Sequence, residues 1–146
     1  MTNKENQGPL IELTEKLLNA ISSGKNIKLY NSLGYGRRVA AVKAILLSNS
    51  IGVIINSPLL HESWSNTAKN NGVMKDIILI SSADKLLRIM NELKIEFNSD
   101  KKRLLIFDVN TLPGISINQL KESFDNIIYI INDIDKDPDP NAVSFE

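Results

Sequence analysis

Residues Leu33-Gly34-Tyr35-Gly36-Arg37-Arg38 lie between a short alternating apolar stretch, residues 26–31, and a run of Val, Ala, Ile and Leu, with the spacing of a glycine loop that cradles phosphate. A working loop of this kind reads Gly-x-Gly-Lys-Ser/Thr, the Lys reaching the β- and γ-phosphates and the hydroxyl holding Mg²⁺. Here both of those positions are Arg. Guanidinium is a strong forked donor to phosphate but does not reproduce the compact charge of an ammonium, and Arg38 offers a magnesium ion no oxygen. Two cations at the start of a helix oppose its dipole unless an anion or an acidic partner completes the site. The expected nucleotide- or anion-binding set is therefore Gly34, Tyr35, Gly36, Arg37 and Arg38. The plainer alternative is a tight turn in which the two glycines serve only the backbone.

Other chemistries are thinly represented. The chain has no cysteine, which removes disulfides, thiolate catalysis and cysteine-based zinc sites. Its one histidine, His61, has no neighbouring ligand that would make a metal site, and reads as a surface or capping residue. Trp64, the only tryptophan, reads as a core anchor before it reads as a platform for a nucleobase. No metal and no cofactor are expected.

Net charge is zero but unevenly spread. From residue 16 to 61 there are six basic residues and no acidic one, whereas from 104 to 146 there are eight acidic and two basic. Either the first half carries a cationic surface for an anion or nucleic acid, or the halves neutralise each other in the fold. On the first view Lys28, Arg37, Arg38 and Lys43 are the nucleic-acid contacts. The first residues lack the apolar core of a signal peptide, and no apolar run approaches the ~20 residues of a membrane span, so the chain is expected to be intracellular and soluble, without a membrane partner.

These residues need a scaffold, and the hydrophobic pattern describes one. An apolar stripe places a first helix at residues 9–22, behind a flexible stretch 1–8. Apolar strands follow at 26–31, 51–56, 76–81, 104–108 and 126–132, alternating with amphipathic helices. The expected fold is α/β, a three-layer sandwich around a mostly parallel five-stranded sheet, in one domain over residues 9–132. Residues 133–146 are acidic, carry no apolar period, and are expected to form a mobile tail. Ligands of such sheets bind beyond the carboxyl ends of the strands, which puts the glycine loop and Asp108 on the same edge.

In order and spacing the chain, over roughly residues 25 to 135, resembles the first RecA-like domain of superfamily 2 helicases, nearest to the Swi/Snf type. Leu33 to Arg38 followed by Val39-Ala40-Ala41-Val42 is similar to that family's nucleotide motif. Val53-Ile54-Ile55-Asn56-Ser57-Pro58-Leu59-Leu60 with Trp64 is similar to its next motif, and Leu104-Leu105-Ile106-Phe107-Asp108 to its strand ending in Asp-Glu. Ile130-Ile131-Asn132-Asp133 stands in the place of its coupling strand.

The resemblance implies a RecA-like sheet and an ancestry in ATP hydrolysis, yet Val109 stands where the family's catalytic Glu orients water. With Lys, Thr and Glu all replaced, the positioning and electrostatic terms of phosphoryl transfer are missing, and no catalytic residue is assigned. The expected function is a non-catalytic, pseudo-ATPase module that binds nucleic acid or a nucleic-acid-processing protein. The alternatives are a structural subunit of a homo- or hetero-oligomer, and an atypical nucleotide-binding ATPase in which Arg37 replaces the Lys.

Overall fold

The computed structural model describes residues 3–30, 35–96, 101–109, 116–131 and 137–145. In chain order the elements are α1 (Asn3–Ser22), β1 (Ile27–Tyr30), α2 (Tyr35–Leu47), β2 (Ser50–Ile55), α3 (Pro58–Asn70), β3 (Ile77–Ile80), α4 (Ala83–Glu96), β4 (Lys102–Asp108), α5 (Ile117–Lys121), β5 (Asn126–Ile131) and β6 (Val143–Phe145). Among the described residues the strands form one six-stranded sheet in the order β3-β2-β4-β5-β1-β6, every pair parallel.

The central strands form because they supply apolar side chains to both faces. On β1, β4 and β5 the residues Ile27, Leu29, Leu104, Ile106, Ile128 and Ile130 enter one apolar cluster, which α1, α2 and α3 complete with Leu17, Ile21, Ile45 and Trp64. The alternate residues Leu105, Phe107, Ile127, Tyr129 and Ile131 enter a second cluster, completed by Leu86 and Met90 of α4 with Leu120 and Phe124. The period of two sends neighbouring residues to opposite faces, and covering both faces is what parallel strands require.

Local signals set the ends. Ser82 Oγ accepts the Lys85 amide at 3.3 Å, the capping bond expected at the start of α4. Pro58 opens α3, where its missing amide costs nothing. Gly52 serves close packing: a Cβ there would lie 2.5 Å from Ile45 Cδ1, so its absence lets α2 seat on β2.

Three expectations change. The sheet has six strands where five were expected. α1 starts at Asn3, so the helix takes in most of the stretch expected to be flexible, because a polar helical turn needs no apolar stripe. Residues 137–145 are built into the domain: Val143–Phe145 pairs with Ile27–Leu29 of β1, and Ala142 is buried in the second cluster. Periodicity could not find a strand of three residues. Residues 133–136 and 146 of the expected tail lie outside the described residues.

Candidate functional site

The chain runs from β1 outward through β2 to β3 and then returns through β4 and β5, so β1/β5 and β2/β4 are neighbours that belong to opposite legs. In sheets of this kind ligands bind beyond the carboxyl ends of the strands at such reversals of strand order. The glycine loop follows β1 at one such place, and Asp108 ends β4 at the other. Tyr30 is level with Ile131 and Asp108 with Ile130, both on the intervening β5. Two strand spacings, roughly 10 Å, therefore separate the end of β1 from Asp108.

Leu33 and Gly34 lie outside the described residues. Tyr35 and Gly36 form the first turn of α2, and Arg37 and Arg38 follow at once, both partly exposed. Arg37 Nη1 donates a hydrogen bond to the Tyr30 carbonyl at the end of β1. The guanidinium is thus turned back onto the strand it follows, where it meets a main-chain acceptor. Val109 packs against the second apolar cluster.

The four cations expected to meet nucleic acid do not form one surface. Arg37 and Arg38 are adjacent, but Lys43 lies about 120–140° further around α2 and roughly 8–9 Å along it. Lys28 is not on the surface at all. It alternates with Ile27 and Leu29 on β1, which points it into the opposite face of the sheet, and it is 7% exposed. Its Nζ lies 2.5 Å from Asp137 Oδ2, with the two side chains 8% and 6% exposed, and it also approaches the carbonyls of Asp139 and Pro140. Lys28 therefore leaves the nucleic-acid set, since a backbone contact requires a reachable ammonium.

Asp137 is the hub of a buried polar network that sequence reasoning missed. Tyr129 Oη donates to its Oδ1 at 2.5 Å, and the Asp139 amide donates to the same oxygen at 3.0 Å. Burial works against the charge of Asp137, but the hydrogen bonds from Lys28, Tyr129 and the Asp139 amide, with the Lys28 charge, outweigh it and hold the carboxyl below its usual range. The same burial, together with the Asp137 bond and the charges of Asp137 and Asp139, pushes the Tyr129 phenol well above its ordinary value. Asn26 binds the same segment, its Nδ2 donating to Asp139 Oδ2 at 2.9 Å and its carbonyl accepting from the Val143 amide at 2.9 Å. The signal was present in the sequence: a lysine in the middle of an apolar strand needs a buried acid, and the surplus of acids lay in the last residues.

Two further residues are placed. His61 Nε2 lies 3.0 Å from the Asn56 carbonyl and 3.1 Å from the Ile80 carbonyl, tying α3 to the ends of β2 and β3. Both partners only accept, so Nε2 carries the proton. Trp64 is completely buried in the first cluster and is a core anchor. Among the described residues no group of three or more His, Asp or Glu could hold a metal ion, and no helix is long and apolar enough to cross a membrane.

Compared with protein-family models, with curated proteins and with solved structures, the chain matches none.

Proposed function

We propose that this chain is a non-catalytic, helicase-like module with a RecA-like, three-layer fold, whose partner is nucleic acid or a protein that processes nucleic acid. The observation that carries the reading is the state of the carboxyl edge. A glycine-loop connection and an acid-ending strand flank β5 as a nucleotide site would need, while Arg37 is committed to the Tyr30 carbonyl and Val109 to the apolar cluster. Helices packed in two clusters on opposite faces of the sheet support the three-layer reading.

Contact with a phosphate backbone falls to Arg38 at the start of α2 and to the N–H groups of Arg37 other than the one given to the Tyr30 carbonyl, with Lys43 able to reach only a second point. Such contacts are salt-sensitive and indifferent to sequence. The test measures binding of single- and double-stranded DNA at two salt concentrations, alongside ATP turnover with Mg²⁺. Binding at low salt with negligible turnover is expected, and Arg38→Gln should reduce the salt slope by about one. The absence of DNA binding at low salt removes the nucleic-acid arm, and turnover abolished by Arg37→Ala removes the non-catalytic reading.

One observation favours a structural subunit as the second reading. Leu59 is 90% exposed in the first turn of α3, and Leu47 of α2 is 64% exposed, so apolar surface is left for another protein. A stable oligomer in sedimentation, with no effect of anions on the melting temperature, would select that reading.

A further inference from the structure

The opposite edge of the sheet gathers cations that are far apart in the chain. At the amino ends of β4 and β5 a cleft of about 360 Å³ is lined by Lys101, Lys102 and Arg103 from the start of β4 and by Lys121 from the end of α5. Asp76 takes up the charge of Lys101 at 2.7 Å. Lys102 and Lys121 donate instead to neutral main-chain carbonyls: Lys102 to Ile21 at 3.4 Å, Lys121 to Asp125 at 2.6 Å and to Gly24 at 3.5 Å. Glu122 and Asp125 also line the cleft and keep their charges, one Asp125 carboxylate oxygen accepting from the Arg103 amide at 2.8 Å, so that the four cations outnumber the two acids of the lining.

Two ammonium groups near Ile21 and Gly24 are accounted for in part by the end of α1, whose last carbonyls favour cations. That account does not reach Ser123. This residue lines the same cleft, is 4% exposed, and its Oγ is buried without a hydrogen-bond partner. A buried hydroxyl without a partner forgoes a bond that folded proteins almost always make. Among the described residues neither Lys102 nor Lys121 is in an ion pair, so an anion beside them would meet uncompensated charge, and rotation of the Ser123 hydroxyl toward an acceptor-only anion would give that group its missing partner.

We propose that this cleft binds a phosphate group, carried by a nucleic-acid strand or as the free ion. The chemistry is that of a tetrahedral oxyanion accepting from two ammonium groups and one hydroxyl. The site lies at the other end of the strands from Arg37 and Arg38, and the inference does not rest on the function proposed above.

The test follows backbone amide signals by NMR while inorganic phosphate, and separately a short single-stranded DNA, is added at constant ionic strength against chloride. Phosphate should perturb residues 101–103 and 121–125 first. The double variant Lys102→Gln/Lys121→Gln should weaken binding by at least about tenfold and Ser123→Ala by several-fold, the scale of lost charge-assisted and neutral hydrogen bonds. The variants' spectra elsewhere report directly that they are folded. DNA perturbing the same residues in the same variant-sensitive way assigns the phosphate to a strand; perturbation by inorganic phosphate alone assigns it to the free ion. Arg38→Gln should leave the cleft signals unchanged, which separates failure of the carboxyl-edge reading from failure here. Perturbation equal to that of chloride, or unaltered in folded Ser123→Ala and the double lysine variant, overturns the proposal.

Discussion

Replacing Asp137 by alanine should loosen the last strand and destabilise the whole domain. The change deletes the only carboxylate facing Lys28 within 4 Å among the described residues and leaves the ammonium of a side chain that is 8% exposed in the parent, with the carbonyls of Asp139 at 3.4 Å and Pro140 at 3.3 Å as its remaining acceptors. Breaking a buried ion pair from one side costs about 3–5 kcal/mol. Because two carbonyls remain, the lower end applies, ~3 kcal/mol, or a fall of roughly 10 °C in melting temperature for a domain of this size.

Denaturant titration gives the energy. Hydrogen exchange at the Val143 amide, bonded to the Asn26 carbonyl, reports the release of β6. The double variant Lys28→Met/Asp137→Leu should recover most of the loss, since a buried pair replaced by apolar side chains is often neutral. The pH dependence has a definite sign. Asp137 is held below its unfolded value, so its contribution is present above the unfolded carboxylate pKa of about 3.9 and is lost as pH falls through the lower folded value. Asp137→Ala should flatten that part of the acid limb. A variant within about 0.5 kcal/mol of the parent, with unchanged exchange at Val143, would refute the network as a clamp.

Tyr129 has the reverse sign: its folded pKa is raised, so its contribution is complete below the unfolded value of about 10 and declines as pH rises past it. Tyr129→Phe should therefore lose stability at neutral pH and show a shallower alkaline limb in equilibrium unfolding. Gly52→Ala places a methyl 2.5 Å from Ile45 Cδ1 and should cost about 1–3 kcal/mol, with Ile45→Val in the same chain restoring part of it.

Much of the fold was legible because its signals are local. Runs such as Ile51-Gly52-Val53-Ile54-Ile55 are buried on both faces, and a continuous apolar run states that without reference to any other part of the chain. Ser82 before α4 and Pro58 opening α3 act at boundaries for equally local reasons. The strand-to-helix position of Arg37 was legible in its neighbours, but its partner was not, because the bond to the Tyr30 carbonyl depends on how the connection folds back onto β1. Lys28 was misread for the same cause. Its charge was visible, while its direction depended on the strand's alternation and its partner lay 109 residues away.

The sequence by itself determined an α/β chain of mostly parallel strands and the position of Gly34 and Gly36 between a strand and a helix. Those are properties of residue type and short-range period. Tertiary structure alone decided the strand order, the seating of the acidic last residues on β1, and the division of the cations. Arg37 went to a main-chain carbonyl, Lys28 to a buried carboxylate, and Lys102 and Lys121 to a cleft beside Ser123. Charge is written residue by residue, but its availability depends on burial and partners, and these exist only after distant segments have packed.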